Sequence, residues 1–274
     1  LGHLSTSQAK QQIQALQART DQPFNVNFFA HTPVSPYPAA EQKWLELLQP
    51  YFDEVQSKAP SELTAPYQSA IDNPELIDML CEVKPPIVSF HFGIPSIEDI
   101  IKLKHAGIFV WGCATSAQEA LLLRDRDVDA IIAQGVEAGG HRGIFNPQYD
   151  PQYSLAVLLN LLRPLVKLPI IAAGGIMNGR GIKAALALGA DAVQMGTAFI
   201  LCPESAADEH YRQQLQTERS LNTAITAVIS GRPARGLRNR MHTEVAEFSD
   251  YLPDYPIAYA AAKALHAAAI QHGN

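Results

Sequence analysis

Two short strand-like runs, each followed by glycine, most constrain what this chain can fold into. The first run, Ile170 to Ala173, follows Pro169 and ends at Gly174-Gly175, and no polar residue interrupts it. An apolar run of this length between turn residues is typical of a strand buried on both faces, as in a parallel sheet. After a helical segment, the second run, Ala192 to Met195, ends at Gly196. This stretch therefore predicts a strand–helix–strand unit of a parallel α/β fold.

The glycines that end these two strands also suggest a ligand. In (β/α)8 barrels, the loops after the last two strands often form a phosphate site at the C-terminal mouth. A single glycine is more often only a tight turn. Gly174-Gly175 and Gly196-Thr197 end adjacent strands, and that combination favours a phosphate site in which backbone amides hold the anion.

The same alternation of strand and helix extends over most of the chain and predicts a TIM (β/α)8 barrel. Six strands are predicted to begin at Phe24, Ile87, Ile108, Ala130, Ile170 and Ala192. A closed barrel of this class needs eight strands. If the last two are strands seven and eight, the missing ones lie before Phe24. We therefore expect the first one to two strands to be missing from this numbering and the natural protein to extend upstream, unless the fold is open there.

A proline-rich segment, residues 31–83, is longer than an ordinary barrel crossover and is interpreted as a helical insertion near the barrel mouth. Its aromatic residues, among them Trp44 and Phe52, can form a lid, a subunit contact in a homodimer or the core of the insertion, and core packing is the simplest of the three. The barrel is then predicted to comprise residues 1–30 and 84–203, followed by a C-terminal helical region, 204–274.

Charge and cysteine content exclude several classes of protein. The net charge is −6, and no Lys/Arg cluster offsets it, which argues against a nucleic-acid surface. No apolar run approaches the ~18 residues of a membrane-spanning helix. The three cysteines, Cys81, Cys113 and Cys202, are widely spaced, so the sequence predicts neither a disulfide framework nor a metal site. Reduced thiols are typical of a cytoplasmic protein.

A histidine and an arginine lie among glycines directly after the strand that begins at Ala130, in Gln-Gly-Val-Glu-Ala-Gly-Gly-His-Arg-Gly, residues 134–143. A histidine can act as a base towards a weakly acidic carbon or donate a hydrogen bond to a substrate oxygen. His141 has glycine rather than core neighbours, which favours a role in a site. Arg142 can pair with a phosphate or a substrate carboxylate, and a solvent-facing salt bridge fits it equally well.

Together with Val88-Ser-Phe-His-Phe-Gly93 and the Gln-Met-Gly-Thr run that ends at Thr197, these motifs resemble the nitronate monooxygenases, formerly 2-nitropropane dioxygenases, and most closely their class I. The resemblance extends from Phe24 through the last helix. It implies a TIM barrel with a smaller helical region that binds FMN non-covalently. It also implies oxidation of alkyl nitronates, such as propionate 3-nitronate, with dioxygen to carbonyl compounds and nitrite.

The resemblance assigns a role to each matching residue. His141 corresponds to the catalytic histidine and His91 to a second active-site histidine, although a structural histidine at a strand end fits His91 nearly as well. A C-terminal Tyr-x-x-x-Tyr-x-x-x-Lys motif implies substrate contacts from Tyr255, Tyr259 and Lys263, whose spacing places them on one face of a helix. The residues that would contact FMN are Asn27, Gln134, Gly139, Gly175, Gln194, Met195, Gly196 and Thr197.

Two other functions fit some of these features. An NAD(P)H-dependent enoyl-ACP or quinone reductase of the same flavin superfamily also carries an Ala-Gly-His or Ala-Gly-Gly-His loop. The Tyr-Tyr-Lys helix and the Phe-His-Phe-Gly strand end favour the nitronate monooxygenase over that reductase. A flavin-free barrel that binds a phosphorylated metabolite is the third hypothesis, and the colour of the purified protein distinguishes it from the other two.

Overall fold

In the computed structural model, which describes residues 1–272, the chain divides into two compact units. The first comprises residues 1–33 and 67–206, and the second comprises residues 34–66 and the chain from residue 207 onward. These boundaries differ from the predicted ones, because residues 67–83 belong to the first unit. Their side chains, including Leu76, Ile77 and Leu80, are part of the core of the first unit.

The first unit contains a six-stranded sheet in which neighbouring strands are parallel. Its spatial order follows the chain without reversal, as in a barrel, whereas a doubly wound sheet reverses at a switch point. The sheet curls into a half-barrel, and the predicted TIM-barrel class is confirmed. The sheet strands are β1 (Asn25–Phe29), β2 (Ile87–His91), β3 (Phe109–Ala114), β4 (Ala130–Gln134), β6 (Ile170–Ala173) and β7 (Ala192–Gln194), and a two-residue strand, β5 (Gly140–His141), lies between β4 and β6 in sequence.

The helices of the first unit pack their apolar faces on the sheet and begin at capping side chains. The hydroxyls of Ser96, Ser116 and Ser154 each accept a hydrogen bond from the amide three residues on, which satisfies one of the otherwise unpaired first amides. Numbered along the chain, the α-helices are α1 (Thr6–Gln17), α2 (Pro38–Glu54), α3 (Pro74–Val83), α4 (Ile97–His105), α5 (Ala117–Asp125), α6 (Leu155–Leu162), α7 (Gly179–Ala187), α8 (Glu209–Leu215), α9 (Arg240–Thr243) and α10 (Ile257–Gln271).

Both faces of the central strands are covered, which explains their apolar sequences. Every residue of β4 and β6 is buried. On these two strands, Ile131 and Ile170 belong to the main core cluster, whereas Ile132 and Ile171 belong to a second cluster with Cys113. Successive residues of a strand point to opposite faces, so the two clusters lie on the two sides of the sheet.

The second unit has its own core. The α2 side chains Trp44, Leu48 and Phe52 pack with Ile257 and Ala261 of α10. Trp44 and Phe52 therefore have a core role, the simplest of the three interpretations, in a core that α2 shares with α10. The unit also contains an antiparallel pair, β8 (Thr223–Thr226) and β9 (Ala234–Leu237). Across residues 1–272, no helix is both long and apolar enough to cross a membrane.

Candidate active site

The predicted site residues of the first unit follow the ends of parallel strands. Gln134, the last residue of β4, is in register with Ala173 of β6, which is in register with Gln194 of β7. At the other side of the sheet, Phe29 of β1 is in register with His91 of β2. Parallel strands in register end at one edge of a sheet, so the loops that follow them emerge together. In barrel enzymes this edge carries the active site.

Gln134 holds the loop that carries His141. Its side-chain Nε2 donates to the backbone carbonyl oxygen of His141 at 3.0 Å. Its Oε1 accepts from the amide of Gly143 at 2.8 Å and from Nη1 of Arg142 at 3.0 Å. An amide oxygen has two lone pairs and an amide nitrogen two hydrogens, so these bonds leave at most one N–H of Gln134 for a cofactor.

Arg142 is a buried structural residue, and both roles considered for it from the sequence are wrong. Its side chain is 0% exposed and forms a two-pronged ion pair with Asp150, with Nε–Oδ2 at 2.8 Å and Nη2–Oδ1 at 3.2 Å. Nη1 also donates to the backbone oxygen of Gly135 at 2.8 Å. A guanidinium that is bonded on all three nitrogens and shielded from water is not available to a phosphate or a substrate carboxylate.

Two further hydrogen bonds hold the loop between β4 and α6, one at its middle and one that joins its two ends. Glu119 of α5 accepts from the amide of Phe145 at 2.8 Å. Glu137 accepts from the amide of Leu155, the first residue of α6, at 2.9 Å. Bonds between buried or half-buried partners resist opening because a freed polar group in a low-dielectric interior is costly. The histidine loop is therefore a fixed part of the fold.

Phe92 brings the two histidines together. Its ring centroid lies 4.9 Å from that of His91 and 5.6 Å from that of His141, with edge-to-face geometry in both pairs. The ring of Phe29 lies 5.1 Å away on β1. Phe92 is buried and has φ of 73°, a left-handed conformation that is strained for an aromatic residue. Such strain persists where surrounding packing enforces it, and it often marks functional sites.

Cys113 is buried close to Gly143, and its thiol stays uncharged. A Cβ placed on Gly143 would lie 2.6 Å from Sγ of Cys113 and 3.0 Å from Cε1 of His91. Burial raises the pKa of the Cys113 thiol well above its usual range. Because the thiol stays protonated, Cys113 places no charge beside Gly143.

The glycines at the ends of β6 and β7 fit the approach of a bulky group. Gly174 and Gly175 have φ of 118° and 68°, conformations that favour glycine. Gly196 differs, because its φ of −104° suits any residue and a Cβ there would meet no atom within 4 Å. A Cβ on Gly139 would meet only the Thr197 hydroxyl, at 2.9 Å. The chain itself thus gives no steric reason for glycine at 196, whereas a ligand in that open space would.

Two backbone amides at the start of α7 already donate hydrogen bonds within the protein. The side chain of Asn178 accepts from the amides of Arg180 at 3.0 Å and Gly181 at 3.1 Å. A phosphate at this edge would therefore depend on the amides of the glycine loops more than on the first turn of α7.

The remaining predicted FMN contacts of the first unit vary in environment. Asn27 is half-buried on β1, and its Oδ1 accepts from the Ser89 hydroxyl of the neighbouring strand at 2.9 Å. Gln194 is exposed at the end of β7. Met195 is half-buried and packs against the main core cluster. Each remains a predicted contact.

The predicted substrate residues lie in the second unit, and one prediction about them is wrong. Tyr255 does not share a helix face with Tyr259 and Lys263, because α10 begins at Ile257 and its cap is Pro256. The residue before a proline is disfavoured in the helical conformation, so the helix cannot extend back to Tyr255. Within α10, the Lys263 ammonium lies 5.8 Å from the centre of the Tyr259 ring. Tyr255 is buried and Lys263 is exposed.

The family model and the curated relatives that match this chain carry the same family name. Residues 1–274 match the family model described as nitronate monooxygenase. A nitronate monooxygenase of Pseudomonas aeruginosa is 49% identical over 96% of this chain and 75% of its own length. One of Paraburkholderia phytofirmans is 46% identical over 100% of this chain and 75% of its own length.

Two solved structures are similar to this chain over nearly its whole length. A nitroalkane oxidase from Streptomyces ansochromogenes superposes with a TM-score of 0.86 at 35% identity, covering 99% of this chain and 77% of the other. FabK from Thermotoga maritima gives a lower TM-score, 0.64, at 25% identity, covering 99% and 82%.

Proposed function

The chain belongs to the nitronate monooxygenase family, and we propose that it oxidises alkyl nitronates with dioxygen to a carbonyl compound and nitrite. Propionate 3-nitronate is the substrate class that we propose first. The observation that carries this proposal is the placement of His91 and His141 around Phe92 at the edge where the parallel strands end. The family is one of flavin-dependent oxidoreductases.

We propose FMN as the flavin, with its phosphate on the backbone amides around Gly174-Gly175 and Gly196-Thr197. The open space beside Gly196 and the left-handed turns at the end of β6 support this placement. Asn27, Gly139, Gln194 and Met195 are proposed to line the same cofactor. When bound, the flavin supplies the electron acceptor for the nitronate carbon.

Protein side chains are proposed to bind the substrate and, for a neutral nitroalkane, to accept its proton. A nitronate is an anion delocalised over carbon and two oxygens, so the site must hold the carbon in place and stabilise the oxygens. We propose that His91 interacts with those oxygens. Tyr255, Tyr259 and Lys263 are the substrate-binding residues that the family resemblance implies, and we keep them as a proposal. His141 is proposed to accept the α-proton when the substrate is a neutral nitroalkane.

Gly196→Val should yield colourless protein with flavin occupancy reduced at least about tenfold, because the valine side chain would fill the space proposed for the cofactor. The measurement is the ratio of flavin absorbance to protein absorbance after purification. Ala187→Val, on an exposed position of α7, is the control and should stay yellow. Full flavin occupancy in Gly196→Val would refute this placement of the phosphate.

The reductase remains the second candidate because of the structural likeness to FabK. We expect NADH to leave the flavin oxidised over minutes in an anaerobic stopped-flow trace, and a nitronate to reduce the flavin within seconds. Rapid bleaching by NADH would transfer the assignment to the reductase. A purified wild-type protein without flavin that binds a sugar phosphate would favour the flavin-free alternative.

Cys81, Cys113 and Cys202 carry free thiols, which supports the proposal of a cytoplasmic protein. Its partners are proposed to be a small-molecule nitronate and dioxygen. A homodimer remains a prediction.

A further inference from the structure

A buried ion pair lies directly beside the proposed catalytic histidine. The Arg142 side chain is 0% exposed and that of Asp150 is 7% exposed. Removing two charges from water is costly, and an apolar pair of similar volume often stabilises a fold at least as well. Stability alone is therefore a weak reason for this pair, which makes its position next to His141 informative.

A continuous chain of hydrogen bonds runs from the carboxylate to the histidine backbone. Asp150 accepts from Nε and Nη2 of Arg142, at 2.8 and 3.2 Å. Nη1 of Arg142 donates to Oε1 of Gln134 at 3.0 Å. Nε2 of Gln134 donates to the carbonyl oxygen of His141 at 3.0 Å. The distance from Asp150 to the site is thus bridged by three direct links.

The arrangement fixes His141 from both sides. The amide of Gly143 donates to Gln134 Oε1 at 2.8 Å, so the residues immediately before and after Arg142 both bond to the same side chain on β4. Arg142 itself bonds to the backbone oxygen of Gly135. The segment 141–143 cannot move relative to β4 unless several bonds between buried groups break together, and such bonds are costly to leave unmade.

We propose that Asp150 and Arg142, acting through Gln134, form a positioning network that fixes the His141 ring in the active site. Asp150 and Arg142 are positioning residues, since Arg142 is wholly buried and Asp150 acts only through it. A misplacement of a reacting group by about 1 Å can cost roughly 10²-fold in rate. The inference rests on the role proposed above for His141.

A double-mutant cycle tests this proposal. Asp150→Asn, His141→Asn and the double variant are compared in kcat/KM for ethylnitronate and for nitroethane, with rates normalised to bound flavin. If Asp150 acts through His141, we expect Asp150→Asn to lower kcat/KM at least about tenfold for the substrate that is more sensitive to His141→Asn. In the His141→Asn background the same change should cost less than about twofold.

Leu162→Ala provides the matched control, since Leu162 is fully buried on α6 in the same unit. We expect Leu162→Ala to change kcat/KM by the same factor in the wild-type and in the His141→Asn background. Arg142→Lys is a second variant in case Asp150→Asn does not fold. A lysine keeps the charge opposite Asp150 but lacks the planar fork that reaches Asp150 and Gln134 together, so we expect it to lose rate in the same non-additive way.

Each outcome decides between the two proposals. Additive losses from Asp150→Asn and His141→Asn would overturn the positioning network and leave the role of His141 intact. Unchanged rates in both Asp150→Asn and Arg142→Lys would also overturn the network alone. A His141→Asn variant with wild-type rates on both substrates would overturn the proposed role of His141 and, with it, the network.

Discussion

His141→Asn should lower kcat/KM for nitroethane by ~10²–10⁴-fold, the contribution typical of a positioned general base, and should lower kcat/KM for ethylnitronate far less. In the neutral nitroalkane the α C–H bond must break, with its electron pair passing to the nitro group and its proton to the imidazole of His141. The nitronate arrives without that proton. It therefore needs only the groups that hold its carbon and stabilise its oxygens.

The comparison requires steady-state rates on both substrates with the same flavin-normalised preparations of wild type and variant. Nitroethane must be supplied fresh, because it ionises slowly in buffer. His105→Asn, at the exposed end of α4, is the control and should match wild type on both substrates. Equal losses on the two substrates would remove His141 as a specific base and would leave it a binding role.

Arg142→Met should lower the free energy of unfolding of the first unit by about 3–5 kcal/mol, the cost typical of removing one partner of a buried ion pair. The expected loss is large because Asp150 would stay buried with its charge unpaired. In addition, Gln134 and Gly135 would each lose a hydrogen bond that water cannot easily replace. The midpoint of urea unfolding, followed by circular dichroism, measures the change.

Arg163→Met is the matched control, because Arg163 pairs with Asp191 at 3.0 Å with both side chains partly exposed, at 34% and 54%. An exposed pair contributes about 0–1 kcal/mol, so this variant should unfold at nearly the wild-type urea concentration. Arg163 also donates to backbone oxygens, and a modest loss from those bonds is compatible with the expectation. Similar losses in the two variants would contradict the importance given to burial of the Arg142 pair.

Several features of this protein could be predicted from local sequence because their causes are local. The six sheet strands begin within one residue of their predicted starts. Strands β4 and β6 are buried throughout and have unbroken apolar runs, whereas β1 was recognisable from its alternating pattern. Gly174 and Gly175 could be recognised as loop residues because a left-handed backbone selects glycine. The family, too, was identified from short motifs such as Ala-Gly-Gly-His-Arg-Gly, and the comparisons confirm it.

A proline marks the start of α10 in the sequence. Tyr255 and Tyr259 have helical spacing, yet Pro256 lies between them, and the residue before a proline is disfavoured in a helix. The helix accordingly begins at Ile257. Spacing predicts a shared face only where the backbone between the residues can be helical.

Only the tertiary structure decided which partners the polar side chains find. Nothing local links Arg142 to Asp150, eight residues on, or shows that the Phe92 ring contacts both His91 and His141. Nor does the sequence show that residues 67–83 pack with the first unit. The sequence by itself determined the strands, the turns and the family, because apolar periodicity and backbone freedom act over a few residues. The structure decided the burial and pairing of Arg142, Gln134 and Asp150, because those depend on loops that meet only when the sheet has formed.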